Sequence, residues 1–129
     1  MNRPELRAIA FSALSLLASL TPAAAEQEES DAGMVSYNNA CRTCHSMKPG
    51  DNRLGPSLHG VVGRKAGTLE GFAFSPAMKS SGVTWDEATL DKFISDPNQV
   101  VSGNKMQPFG GVADASEREK IVNYLKTLK

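Results

Sequence analysis

The chain has 129 residues, of which 14 are basic and 14 acidic, so its formal net charge is zero. This balance argues against nucleic acid or an anionic membrane surface as the main partner, because both select basic surfaces. The length fits one domain, and the two cysteines lie close enough in sequence to belong to one site.

Residues 1–25 have the pattern of a cleaved secretory signal peptide. Arg3 and Arg7 precede an apolar run over residues 8–20, and the alanines at 23–25 offer a cleavage site. The run is shorter than the roughly 20 residues that a bilayer-spanning helix needs, although an uncleaved membrane anchor is the alternative. We therefore expect a protein secreted to the periplasm, whose mature chain has 12 basic and 13 acidic residues.

The mature chain divides into a short leader and one domain. Residues 26–30 are predicted to form a flexible acidic leader, and residues 31–129 a single domain. A first helix is predicted over Asp31 to Asn39, directly before the two cysteines. No strand-like alternation precedes them.

The run from Cys41 to His45 is a C-x-x-C-H motif, the pattern of covalent haem attachment. Thiols three positions apart lie on one side of a helical turn, where both can bond to one porphyrin, and the next residue offers its imidazole to the iron. A redox C-x-x-C motif would need a βαβ context, which the sequence does not show. A zinc site with His59 lacks the usual second ligand pair. The motif therefore predicts one haem c, bound through Cys41 and Cys44, with His45 as an iron ligand.

The segment from Met47 to Val83 is rich in glycine and proline and shows no amphipathic helix. Such a long irregular stretch is unusual in a compact domain. A large apolar cofactor explains it, because loops can wrap a flat porphyrin that supplies part of the core.

Two further helices are predicted in the second half of the chain. Thr84 is the expected N-cap of one, with Glu87 completing a capping box and Pro97 ending the helix near residue 96. Asp114 is the expected cap of the last helix, whose apolar face is formed by residues 121, 122, 125 and 128. The fold is predicted to be all-α, with long loops.

An electron-transfer haem needs a second axial ligand opposite His45, and spacing leaves three candidates. Met106 lies 61 residues downstream in an irregular segment, which is enough chain to circle the porphyrin. Met78 and His59 are the alternatives. Met47 is too close to His45, and Met34 is expected to pack in the core.

Residues 33–128 resemble the class I c-type cytochromes, in particular mitochondrial-type cytochrome c and its bacterial periplasmic relatives. The resemblance rests on these segments: Gly33 and Tyr37 with Ile121 and Tyr124, the loop at 55–67, Trp85, and the stretches 96–98 and 103–106. It implies the cytochrome c fold, with three to five helices and long loops around one covalently bound haem. It also implies Met106 as the second metal ligand beside His45.

The resemblance implies three further cofactor-binding roles. The carbonyl of Pro56 would accept the Nδ1–H of His45, Trp85 would donate its indole N–H to a haem propionate, and Arg64 would offset propionate charge. For Trp85, a hydrogen bond to a backbone carbonyl is the competing interpretation. Phe74 and Phe93 stand where the family commonly has tyrosines, so two hydroxyl donors are lost.

These features predict a soluble periplasmic monohaem one-electron carrier, cycling between Fe(III) and Fe(II), and not an enzyme. Its expected partners are membrane or periplasmic redox proteins that dock transiently at the haem edge, with no stable membrane insertion and a monomeric state. Lysines at 48, 65, 79 and 105 are candidates for that edge, but the near-zero charge predicts weak steering. The alternatives are a haem enzyme or gas-binding protein with an open sixth site, as in a peroxidase, and a tethered subunit of a larger redox complex.

Overall fold

A computed structural model describes residues 21–129, which contain five helices. In chain order these are α1 (Pro22–Ala40), α2 (Pro76–Ser80), α3 (Glu87–Ser95), α4 (Pro97–Val100) and α5 (Ala115–Thr127). Within the described range, the only β pairing is an isolated antiparallel bridge between Lys65 and Thr84. The predicted all-α class with long loops is confirmed.

The first helix is longer than predicted and includes the expected leader. α1 begins at Pro22, so residues 26–30 are helical and mostly solvent exposed. Proline suits the first helical position, because its fixed φ is helical and its missing N–H would have no partner there. Alanine, glutamate and glutamine then favour continuation of the helix. Residues 26–30, predicted to form a flexible leader, are thus helical in the structure, and their flexibility stays a prediction. Most of the predicted signal peptide, residues 1–20, lies outside the described residues.

The predicted cap of α3 is wrong by two residues. The N-cap is Asp86, whose Oδ1 accepts a hydrogen bond of 2.7 Å from the Thr89 N–H. Thr84 is unavailable because its bridge to Lys65 keeps the chain extended at that point. Glu87 is consequently the first helical residue and takes no part in a capping box.

The other helix limits follow the sequence more closely. Asp114 caps α5 by accepting the Glu117 N–H at 2.9 Å, as predicted. α3 ends at Ser95, and Pro97 begins the separate four-residue helix α4. Neither α4 nor α2 was predicted from the sequence.

α1 and α5 cross in close contact. A Cβ on Gly33 would lie 2.8 Å from both the Lys120 carbonyl oxygen and the Tyr124 Cβ, so only glycine allows this approach. One turn on, the rings of Tyr37 and Tyr124 pack with centroids 5.6 Å apart. This crossing fixes the end of α1, and with it the cysteine motif that follows.

α3 contacts both α5 and the loop that precedes α5. Arg118 on α5 forms a 2.8 Å ion pair with Asp91 on α3. The Val112 N–H donates to the Ile94 carbonyl at 2.9 Å, bringing the 101–114 loop back against α3. The helices and the two long loops thereby surround one apolar cavity.

Candidate haem site

The cavity has a volume of about 300 Å³ and lies between the cysteine motif, the 54–75 loop, α3 and the 105–109 segment. All seven residues predicted to bind the cofactor line it: Cys41, Cys44, His45, Pro56, Arg64, Trp85 and Met106. The structure thus brings together residues up to 65 positions apart in sequence. Whether each of them binds haem stays a prediction.

His45 is buried and held in one orientation. Its Nδ1 lies 2.7 Å from the Pro56 carbonyl oxygen, which accepts the ring N–H and leaves Nε2 free. Burial lowers the pKa of His45, and the bond to Pro56 opposes that shift in part. A neutral imidazole with an unprotonated Nε2 is the form that binds a metal.

Gly55 fixes the other side of this imidazole, which the sequence did not reveal. A Cβ at Gly55 would lie 2.3 Å from the His45 Cε1, so the backbone lies directly against the ring. The only sequence signal was a glycine preceding Pro56. Its function depends on a contact that spacing alone does not predict.

Cys41 lacks the lowered pKa that is typical of a reactive redox cysteine. Both are free thiols, with Cys41 buried and Cys44 partly exposed. Burial and the neighbouring Cys44 raise the pKa of Cys41 to about 12, whereas reactive redox cysteines have a lowered pKa. Within residues 21–129 no group of three or more histidine, cysteine or acidic residues is placed to hold a metal ion, which disfavours the zinc alternative.

Arg64 and Trp85 supply polar groups in an otherwise apolar wall. The Arg64 guanidinium donates to the carbonyls of His59 and Ser57, at 3.1 and 3.0 Å, and no carboxylate in residues 21–129 pairs with it. Burial lowers the pKa of Arg64, as expected for a cation without an anionic partner. The Trp85 indole N–H has no protein acceptor in the same range, so the predicted alternative, a bond to a backbone carbonyl, is not found. Both groups fit the anionic propionates of a haem.

The methionines of the described chain differ in whether they line the cavity. Met106 and Met78 line the cavity, while Met47 lies outside it and accepts the Tyr124 hydroxyl at 2.6 Å. Met34 is 39% exposed, which corrects the expectation that it packs in the core. His59 does not line the cavity either. Two thioethers therefore remain as candidates for the position opposite His45.

Aromatic side chains form much of the remaining wall. Phe74, Phe93 and Phe109 all line the cavity, and Trp85 packs on Phe93 with ring centroids 4.8 Å apart. Among residues 21–129 no hydrogen bond reaches the sulfur of Met106, as the loss of a tyrosine at position 93 implied. The two free thiols, the oriented imidazole, the unpaired guanidinium and this apolar wall together fit a haem.

Comparison with known proteins assigns the family. Residues 28–125 match the family described as cytochrome c oxidase, cbb3-type, subunit III. Cytochrome c2 iso-2 of Magnetospirillum molischianum is 52% identical over 89 residues, covering 69% of this chain and 91% of that protein. Cytochrome c2 of Blastochloris viridis is 40% identical over 122 residues, covering 94% and 93% of the two chains. The chain belongs to the class I c-type cytochromes. The structure of cytochrome cH from Methylobacterium extorquens also matches this cytochrome, with a TM-score of 0.70 and 43% identity over 76% of this chain and 97% of that one.

Family membership settles the cofactor and the general function. Class I cytochromes carry haem c bound covalently, and Cys41, Cys44 and His45 supply the attachment motif in this cytochrome. Like these relatives, it is a monohaem electron carrier and not an enzyme. The comparisons give no support to the peroxidase alternative.

Proposed function

We propose that this cytochrome carries single electrons in the periplasm with His45 and Met106 as its axial ligands. The observation that supports the proposal is that both side chains line one cavity, with the His45 ring oriented by Pro56 at 2.7 Å. Met78 lines the same cavity, and the resemblance to the class I cytochromes favours Met106 over it. When bound, the haem supplies the Fe(III)/Fe(II) couple. Ligation by histidine and methionine in an apolar site favours a positive reduction potential.

The protein groups around the cavity act by binding and by excluding water. Pro56 fixes the His45 tautomer, and the phenylalanines keep the surroundings of the iron apolar. Arg64 and Trp85 offset and bind the propionates, which lowers the cost of placing these anions at a partly buried site. With both His45 and Met106 bound, the iron would have no open position for a substrate.

The proposed ligand is tested by comparing two matched variants, Met106→Leu and Met78→Leu. Leucine has a similar volume but no sulfur, so each variant removes one thioether with little change in packing. Ferric haem bound by methionine has a weak near-infrared absorption band. We expect the wild type and Met78→Leu to show the band and Met106→Leu to lack it.

Each other outcome has a distinct meaning. Loss of the band in Met78→Leu alone would identify Met78 as the ligand. A wild-type protein without the band would exclude methionine ligation and restore the alternative of an open sixth site.

The partner is proposed to be an acidic redox protein that docks transiently on the cavity rim. We define the rim as the four exposed residues that line the cavity: Leu54, Ala73, Lys105 and Gln107. Leu54 is 80% exposed, which is unusual for a large apolar side chain and suits a small desolvated contact. Small, transient interfaces are typical of redox encounters and are compatible with a monomer.

The periplasmic location is proposed from the signal-peptide pattern of residues 1–25. In residues 21–129 no helix is both long and apolar enough to cross a membrane. N-terminal sequencing of the purified protein tests the location. We expect it to begin at Glu26, whereas an intact apolar segment would favour the membrane-anchored alternative.

A further inference from the structure

The side-chain amide of Asn104 connects the proposed ligand to α4. Asn104 is 7% exposed and lies two residues before Met106. Its Oδ1 accepts the Met106 N–H at 2.9 Å. Its Nδ2 donates to the Val101 carbonyl at 2.9 Å and to the Asn98 Oδ1 at 3.0 Å. Both amide hydrogens and the amide oxygen are therefore used, which fixes the orientation of the side chain.

The far end of this network is fixed by the cap of α4. Asp96 accepts the Asn98 N–H at 3.0 Å, and α4 begins at Pro97. A series of hydrogen bonds therefore runs from the Asp96 carboxylate to the Asn98 backbone, and from the Asn98 side chain through the Asn104 amide to the Met106 backbone. Among residues 21–129, Asn104 is the only residue whose side chain forms a hydrogen bond with the Met106 backbone.

The restraint on the backbone matters because no side chain within residues 21–129 donates a hydrogen bond to the sulfur. Phe93 lines the cavity at the position where the resemblance to the class I cytochromes implies a tyrosine, and it has no hydroxyl to offer the thioether. In residues 21–129 no donor contacts the Met106 sulfur, and the side chain is partly exposed. A ligand methionine whose sulfur receives no hydrogen bond, on an irregular loop, depends on its backbone for its position.

We propose that Asn104 is a positioning residue that holds Met106 in place through its backbone N–H, replacing a hydrogen bond on the sulfur. The inference rests on the proposed role of Met106. On this proposal, the bond between Met106 and the iron is stabilised by the buried amide of Asn104, two residues before Met106. Without that amide, the loop should open more often and admit an external ligand.

The experiment measures imidazole binding to the ferric holoprotein at constant pH, followed by absorbance. Imidazole competes with the protein's sixth ligand, so its apparent association constant reports how easily Met106 leaves. We expect Asn104→Ala to raise that constant about tenfold, the effect of losing one buried hydrogen bond. Asn98→Ala, which spares the bond to Met106, should raise it by a smaller factor.

Ser36→Ala is the matched control for general destabilisation. Ser36 is also buried, and its hydroxyl donates to Glu117 at 2.7 Å at the crossing of α1 and α5, away from the cavity. Its loss should leave the imidazole constant within about twofold of wild type, because distant sites act independently. An equal rise in both variants would show that Asn104 is only structural and would overturn the proposal.

Hydrogen exchange of the Met106 amide separates this proposal from the ligand assignment. We expect exchange to accelerate about tenfold in Asn104→Ala, because the N–H loses its acceptor. Unchanged exchange would show that the bond is absent. Accelerated exchange with unchanged imidazole affinity would show that the bond does not position the ligand. If the wild type lacked the near-infrared band, the assignment of Met106 would fail independently of these two results.

Discussion

Tyr37 shows how a single buried atom can cost stability. Its side chain is 1% exposed, and its hydroxyl is the only buried side-chain oxygen or nitrogen in residues 21–129 without a hydrogen-bond partner. Burial raises the pKa of Tyr37 to about 12. Tyr37 does not line the cavity, so the ring serves the packing against Tyr124. The hydroxyl loses its hydration on folding and gains nothing in return.

We therefore predict that Tyr37→Phe raises the free energy of unfolding of the ferric holoprotein by about 1 kcal/mol, because it removes an unsatisfied buried group and keeps the ring. Urea unfolding monitored by circular dichroism measures the change. Tyr124→Phe is the matched control, since its hydroxyl has a partner in Met47. That variant should lose stability. Destabilisation by Tyr37→Phe would contradict the prediction and indicate an ordered water on the hydroxyl.

Among the helices, the carboxylate of Glu117 adds a hydrogen bond across the crossing of α1 and α5. Glu117 on α5 accepts hydrogen bonds from Lys120 on the same helix and from Ser36 on α1. Lys120 first, and Ser36 second, hold the pKa of Glu117 below its ordinary value. A lowered folded-state pKa means that the unfolded chain binds more protons near that pH. The stabilisation is therefore complete above the ordinary glutamate pKa of about 4.3 and is lost as the pH falls through the folded value.

We predict that Glu117→Gln is less stable than wild type at pH 7 and that the difference shrinks as the pH falls below the ordinary glutamate pKa of about 4.3. Urea unfolding at pH 7, 5 and 3 tests this. Glu119→Gln makes the same charge change at an exposed position of α5 and should show no pH-dependent difference. A difference for Glu117→Gln that is independent of pH would rule out the ionised carboxylate as its source.

The helices also show which features were predictable. Asp114 was identified because its cap depends only on residues of the same turn. Thr84 offered the same local pattern, but a bridge to Lys65, 19 residues earlier, decided the conformation there. α2 and α4 have five and four residues, too few for an amphipathic pattern to show. The attachment motif is likewise local, whereas Gly55 against His45 and the bonds of Asn104 exist only once the chain has folded.

Over the whole molecule the net charge is near zero, but acidic and basic residues are distributed unevenly along the chain. Residues 26–39 carry four acidic side chains and no basic one, whereas residues 40–85 carry six basic and two acidic. The acidic group starts at Glu26 on α1, whereas Cys41, at the other end of that helix, lines the cavity. At the usual rise per residue, Glu26 and Cys41 are about 20 Å apart. The sequence-based expectation of weak steering considered only the net charge. Leu54 and Ala73 of the rim belong to this basic stretch, and Lys105 adds a further positive charge at the rim.

We therefore predict that oxidation of the ferrous protein by hexacyanoferrate(III) slows at least about threefold between 10 and 300 mM NaCl, because salt screens a local positive field. Leu54→Glu places a negative charge on the rim and should slow the reaction at low salt. Ala88→Glu is the matched control, since Ala88 is exposed on α3 and does not line the cavity. If net charge governed the encounter, both variants would slow equally and the mature wild type would show almost no salt dependence. A larger effect at residue 54 than at residue 88 would instead show that the electron leaves through the rim.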